Sequence, residues 1–134
     1  MQRKVWIIDD DMVSQFATRY CIEQYGEPVQ IETFANAEEG LVAFTELKLQ
    51  NRPFPEIIFL DLIMDDMNGW QFIENLQKLI KKAQMPEIYI LSAFSQSNDR
   101  ATAKKHNMVS GYFDKPLTRI GLDRVFMVSG KLKG

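Results

Sequence analysis

Asp9, Asp10 and Asp11 stand together directly after the apolar run 5–8, and Asp61 directly follows the apolar run 57–60. Ser92 follows the run 88–91, and Lys115 comes soon after Gly111, Tyr112 and Phe113. Carboxylates gathered at one place repel, and they remain ionised together only with a cation among them. Magnesium takes oxygen ligands octahedrally and keeps several waters, so one or two carboxylates and a carbonyl suffice to hold it. A carboxylate can also accept a phosphoryl group as an aspartyl phosphate. A hydroxyl such as Ser92 can donate to a phosphoryl oxygen, and a lysine such as Lys115 can pair with it as a point charge. Brought to one place, these residues would host a divalent cation and a phosphoryl group.

They meet only if the chain aligns the ends of its strands. After the first apolar run, Val13, Phe16, Ala17, Tyr20, Cys21 and Gln24 recur at helical spacing, which predicts a helix with that inner stripe, closed by Gly26. Residues 29–34 alternate apolar and polar, as an outer strand does. Asn36 is placed to cap a second helix, with Glu39 three residues on and Ala37, Gly40, Leu41, Phe44 and Leu47 on its inner face. Pro53 and Pro55 end that helix and lead into 57–60, a fully apolar run of the kind buried on both faces. Phe72, Ile73, Leu76, Leu79 and Ile80 mark a third helix. Pro86 precedes the strand 88–91, and a fourth helix over about 97–106 has only Ala101 and Ala103 as apolar surface. A short fifth strand at 111–113 precedes a last helix, capped by Thr118 and carrying Leu122, Val125 and Phe126.

Strand and helix therefore alternate five times. The pattern predicts an α/β fold, a doubly wound, flavodoxin-like, five-stranded parallel sheet with right-handed crossovers and strand order 2-1-3-4-5. Ligands in such sheets bind beyond the carboxyl ends of the strands, at the switch point between strands 1 and 3. That is where the acids follow.

The chain of 134 residues suits one domain over 1–134. A net charge of −2 offers no footprint for a nucleic-acid backbone, and no apolar run is long enough to span a bilayer. The single cysteine, Cys21, excludes an internal disulfide and reads as a packed, inert thiol, while His106 reads as solvated. Three aspartates cut short the N-terminal apolar run, so no signal peptide is expected, and the expected location is the cytoplasm.

The segments 5–11, 58–64, 67–69, Leu91-Ser92-Ala93 and 112–116 fall in order along the chain, and together they resemble the response-regulator receiver family of two-component signal transduction. The resemblance implies that Asp61 is the phosphoacceptor, fed by a histidine kinase or histidine phosphotransfer protein, and that the chain is a signalling phosphoacceptor rather than an enzyme. It implies Mg2+ held directly by Asp10, through water by Asp9, by Asp61 and by the backbone carbonyl of Ile63. It places Ser92 and Lys115 against the phosphoryl group, makes Lys115–Pro116 a cis peptide, and makes Tyr112 an aromatic switch coupled to Ser92. A downstream protein or a second copy would then read helix 4, strand 5 and helix 5. By the same resemblance, Ile63 and Phe94 stand at positions that line the route of hydrolytic water, and being apolar they imply slow autodephosphorylation.

Two departures from the family pattern stand out. Asp65, followed by Asp66, replaces a common proline, which removes a fixed φ and adds charge near the pocket. Asn68-Gly69 replaces Asp-Gly, a pair suited to a turn with positive φ. Asp11 reads as the cap of the first helix. Three other readings compete. An aspartate-nucleophile phosphatase would want an acid where Ile63 stands. A degenerate receiver would bind partners without phosphorylation, and a flavin domain would not crowd acids at its strand ends.

Overall fold

The computed structural model describes residues 2–93 and 97–133. Five strands, β1 (Arg3–Ile8), β2 (Val29–Phe34), β3 (Ile57–Leu60), β4 (Glu87–Ser92) and β5 (Val109–Asp114), form one sheet. Five helices alternate with them: α1 (Met12–Tyr25), α2 (Ala37–Leu49), α3 (Gly69–Leu79), α4 (Ser97–Lys105) and α5 (Arg119–Lys133). All pairings are parallel and the order is β2-β1-β3-β4-β5, as the alternation predicted.

Side chains on alternate strand positions feed two cores, one on each face of the sheet. Trp6, Ile8, Ile58, Leu60, Ile88 and Ile90 pack with Phe44 of α2 and with Phe72, Ile73 and Leu76 of α3. Val5, Ile7, Ile57, Phe59, Tyr89 and Leu91 pack with Ile22 of α1 and with Leu122, Val125 and Phe126 of α5. Every residue of β3 is therefore buried, which explains its uninterrupted apolar sequence. The inner faces expected of α2, α3 and α5 are the ones observed. Asn36 and Thr118 cap α2 and α5 through the N–H groups of Glu39 and Gly121, at 2.8 and 3.1 Å.

The first helix departs from expectation. It spans the residues its periodicity predicted, ends at Gly26 with φ 95°, and is capped by Asp11, whose Oδ1 accepts from the N–H groups of Val13 and Ser14 at 3.0 and 3.3 Å. Its buried residues, however, are Gln15, Thr18 and Ile22, while Val13 (79%), Phe16 (70%) and Tyr20 (56%) are exposed. Gln15 supplies the physical reason. Its amide donates at 3.2 Å to the carbonyls of both Asp9 and Phe34 at the ends of β1 and β2, so burying it satisfies two acceptors. The apolar stripe is left facing outward.

The fourth helix has little apolar anchorage, as expected: Ala103 is buried and Ala101 is exposed. What holds it is largely polar. Arg100 forms an ion pair with Asp114 of β5, and its guanidinium lies 5.1 Å from the centroid of the Tyr112 ring. Trp70 of α3 donates to Asp99 at 3.4 Å and stacks on His106 at 5.7 Å. His106 is thus half-buried against an indole rather than solvated. Cys21 is half-buried, donates to the Leu117 carbonyl at 3.3 Å, and has its thiol pushed up by burial, which keeps it protonated and inert.

Candidate phosphoryl and metal site

Register brings the acids together. Ile8 pairs with Leu60 in the parallel ladder, and the next residues continue it: the Asp61 N–H donates to the Ile8 carbonyl at 3.0 Å. On the far side the Lys115 N–H donates to the Ser92 carbonyl at 2.9 Å, which ties the ends of β4 and β5. Asp9, Asp10 and Asp61 consequently present carboxylate oxygens within 4.8 Å of one another. Asp9 and Asp61 are buried, Asp10 is exposed and Ser92 is fully buried.

Lys115 reaches into this cluster. Its Nζ lies 2.9 Å from Asp9 Oδ2 and 3.5 Å from Asp61 Oδ2. The peptide bond from Lys115 to Pro116 is cis, as the resemblance implied. Burial pushes the Asp61 carboxyl up from 3.8 to about 6; the Lys115 ammonium opposes this, Asp9 adds to it, the Ile63 N–H opposes it and Asp10 adds a little. One ammonium among three carboxylates leaves the cluster short of positive charge, which is the condition a divalent cation relieves. The donor set, all oxygen and without thiolate or imidazole, fits magnesium.

The loop after β3 shapes the approach. The Ile63 N–H turns back to Asp61 Oδ1 at 3.4 Å, and the Asp65 N–H donates to Asp10 Oδ2 at 3.4 Å. A proline at 65 could not make the second bond, so the substitution that removes a fixed φ also supplies a donor to an acid of the cluster. The positive φ falls on Asp66, at 63°, and not on Asn68 or Gly69 as expected. Asn68 instead caps α3, with φ −82° and a reciprocal capping box to Gln71. Gly69 is required for a different reason, since a Cβ there would come within 2.7 Å of the Asp61 carbonyl oxygen.

Tyr112 is half-buried against the α2–α3 side of the core, and its hydroxyl is buried without a partner among the described residues. Phe94 lies outside the described residues. Reading strand ends missed Ser14 and Gln15, the first-turn residues of α1 that bond to Asp9; Ser14 Oγ donates to Asp9 Oδ2 at 2.6 Å. Their only signal is spacing, because residues five and six positions beyond Asp9 lie one helical turn past the cap and face back toward the strand end.

The model of the response regulator receiver domain matches residues 5–125. An uncharacterized 14.6 kDa protein of Leptolyngbya boryana is 27% identical over 92% of this chain and 87% of its own length. The phosphate regulon transcriptional regulatory protein PhoB of Escherichia coli is 25% identical over 88% of this chain, which spans only 47% of that protein. A crystal structure of a two component response regulator from Cytophaga hutchinsonii superimposes with a TM-score of 0.86 at 26% identity, over 97% of this chain and 98% of that one. With its sheet order, its acidic strand ends and these matches, the chain belongs to the response regulator receiver domain family.

Proposed function

We propose that this chain is a single receiver domain over 1–134 whose Asp61 takes a phosphoryl group from a phosphohistidine on a histidine kinase or phosphotransfer protein. A carboxylate oxygen of Asp61 attacks phosphorus as the P–N bond breaks, and the electron pair returns to the imidazole nitrogen. The observation that carries this reading is the convergence of Asp9, Asp10 and Asp61 within 4.8 Å, with Lys115 bridging two of them.

Asp10, Asp61 and the Ile63 carbonyl, with Asp9 acting through water, are the residues that would hold Mg2+; when bound, the ion neutralises charge on the phosphoryl oxygens. Lys115 pairs with one phosphoryl oxygen and Ser92 donates to another. Movement of Ser92 toward the new group opens space for Tyr112, whose buried hydroxyl has no hydrogen-bond partner among the described residues to hold it where it is. That rearrangement reaches a downstream protein, or a second copy of the chain, through the face of α4, β5 and α5. Apart from making and slowly losing its own phosphoryl group, the domain catalyses nothing. Ile63, exposed at the rim, has no group to orient water, so hydrolysis is slow.

The donor has a surface to meet. Met12, Val13 and Phe16 on α1, the helix that follows the Asp9–Asp11 run, and Ile63, two residues after Asp61, expose apolar side chains. A cavity of about 320 Å3 lined by Val13, Ala17, Lys115 and Leu117 continues that face. An amphipathic helix carrying the phosphohistidine fits such a surface. Among the described residues no helix is long and apolar enough to cross a membrane, and we place the domain in the cytoplasm with such a kinase. A phosphoryl-dependent mobility shift lost in Asp61→Asn and kept in Asp66→Asn is the expected result; equal shifts in both would defeat the assignment.

A further inference from the structure

Asp9 is the most heavily bonded acid of the cluster. Its Oδ1 accepts the N–H of Asp11 at 3.0 Å, and its Oδ2 accepts both the Ser14 hydroxyl at 2.6 Å and the Lys115 ammonium at 2.9 Å. Lys115 therefore sits closer to Asp9 than to Asp61, whose Oδ2 is 3.5 Å away. That is the wrong side for its task. To pair with a phosphoryl oxygen on Asp61, the ammonium has to lengthen its contact with Asp9. A buried carboxylate oxygen left bare by that movement would oppose it.

Ser14 removes the obstacle. Capping of α1 does not need its hydroxyl, because Asp11 already accepts from the N–H groups of Val13 and Ser14. The Oγ points instead across the first turn to the Asp9 oxygen that holds the lysine. When Lys115 leaves, that oxygen keeps a donor, and the rotamer of Asp9 keeps two anchors, Asp11 N–H and Ser14 Oγ.

We propose that Ser14 is a positioning residue for phosphoryl transfer: it holds Asp9 Oδ2 so that Lys115 can be handed from Asp9 to the phosphoryl oxygen on Asp61. This rests on the reading of Asp61 as phosphoacceptor. No covalent bond changes in the hand-over. One ammonium contact lengthens, another forms, and the hydroxyl bond persists. Because Lys115 and the Asp11 N–H both remain on Asp9 before the phosphoryl group arrives, the metal-bound, unphosphorylated state has little need of Ser14. The activated state depends on it.

The test measures two affinities by calorimetry on the intact chain: Mg2+ alone, and beryllofluoride, a phosphoryl mimic, in saturating Mg2+. The set is wild type, Ser14→Ala, Ser14→Thr and Asp61→Asn. Ser14→Ala is expected to weaken beryllofluoride binding roughly tenfold, as loss of a hydrogen bond to a charged group does, and to leave Mg2+ affinity within about twofold of wild type. Ser14→Thr, which keeps the hydroxyl, restores beryllofluoride binding. A merely structural serine would move both affinities alike, and that outcome overturns the proposal, as does wild-type beryllofluoride affinity in Ser14→Ala. Asp61→Asn separates this failure from a wider one. If it binds beryllofluoride as wild type does, the phosphoacceptor reading falls; if it does not bind while Ser14→Ala is unaffected, only the role of Ser14 falls.

Discussion

The centre of the sheet and its α4–β5 edge are built on different principles. Around β1 and β3, the strand ends that carry Asp9 and Asp61 rise from residues buried on both faces, with Phe44, Phe72, Ile73 and Leu76 locked against them. On α4, Ala103 is the one buried apolar side chain among the described residues. β5, though laddered to β4, packs only partly buried side chains (Val109, Tyr112 and Phe113) on the cores. The contacts of α4 to its neighbours include Arg100 to Asp114 and Tyr112 and Trp70 to Asp99. Close-packed apolar cores resist displacement, whereas partly exposed ion pairs and ring contacts each contribute little and rearrange readily. The first region is built to hold its strand ends in place, and the second to rearrange at small cost.

That contrast can be broken by mutation. Phe72→Ala empties a fully buried position beside the central strands and should cost about 3–5 kcal/mol in denaturant unfolding. Gly69→Ala would put a Cβ 2.7 Å from the Asp61 carbonyl oxygen, so it should displace the acid loop. Its cost in unfolding experiments should be about 1–3 kcal/mol, with Mg2+ affinity reduced.

Asp61→Asn acts through charge. Because the folded carboxyl sits at about 6 against an ordinary 3.8, the folded state is favoured while the group is protonated, and that stability is lost as pH rises through about 6. Without metal, Asp61→Asn should therefore melt higher than wild type at neutral pH, and the gain should vanish below 3.8, where both states are protonated. A variant that melts lower at neutral pH would show the cluster to be under no electrostatic stress.

At the α4–β5 edge, Arg100→Ala removes a half-exposed ion pair and a ring contact, and should cost less than about 1 kcal/mol in global stability. Its effect should appear instead as faster amide exchange confined to α4 and β5. Equal slowing or quickening across β1 and β3 would erase the distinction between the centre and this edge.

Much of this was legible in the sequence because period and burial coincide there. A four-residue apolar run with an acid after it reads as a central strand delivering that acid to a sheet edge, and the placement of Asp9 and Asp61 followed from that logic. Lys115 follows a mixed strand and was singled out only by the constellation as a whole. The inner face of α1 was not legible. Hydropathy assigns Phe16 and Tyr20 inward, and it has no means of seeing that Gln15 is buried to satisfy the Asp9 and Phe34 carbonyls. The misplaced stripe proved informative, since apolar residues that the core does not use are left to meet something else. Asn68-Gly69 was read as a pair suited to positive φ, but neither residue adopts it; what favours glycine at 69 is distance to a carbonyl. Ser14 escaped notice because a serine in a first helical turn is ordinary until the atom it bonds is known.

The phosphoacceptor assignment is tested most directly by treating the protein with a small phosphoryl donor such as phosphoramidate in Mg2+, reducing the acyl phosphate with borohydride and sequencing the peptides by mass spectrometry. Homoserine at position 61 is the predicted product. Homoserine at 9 or 10, or an unmodified chain, would contradict it.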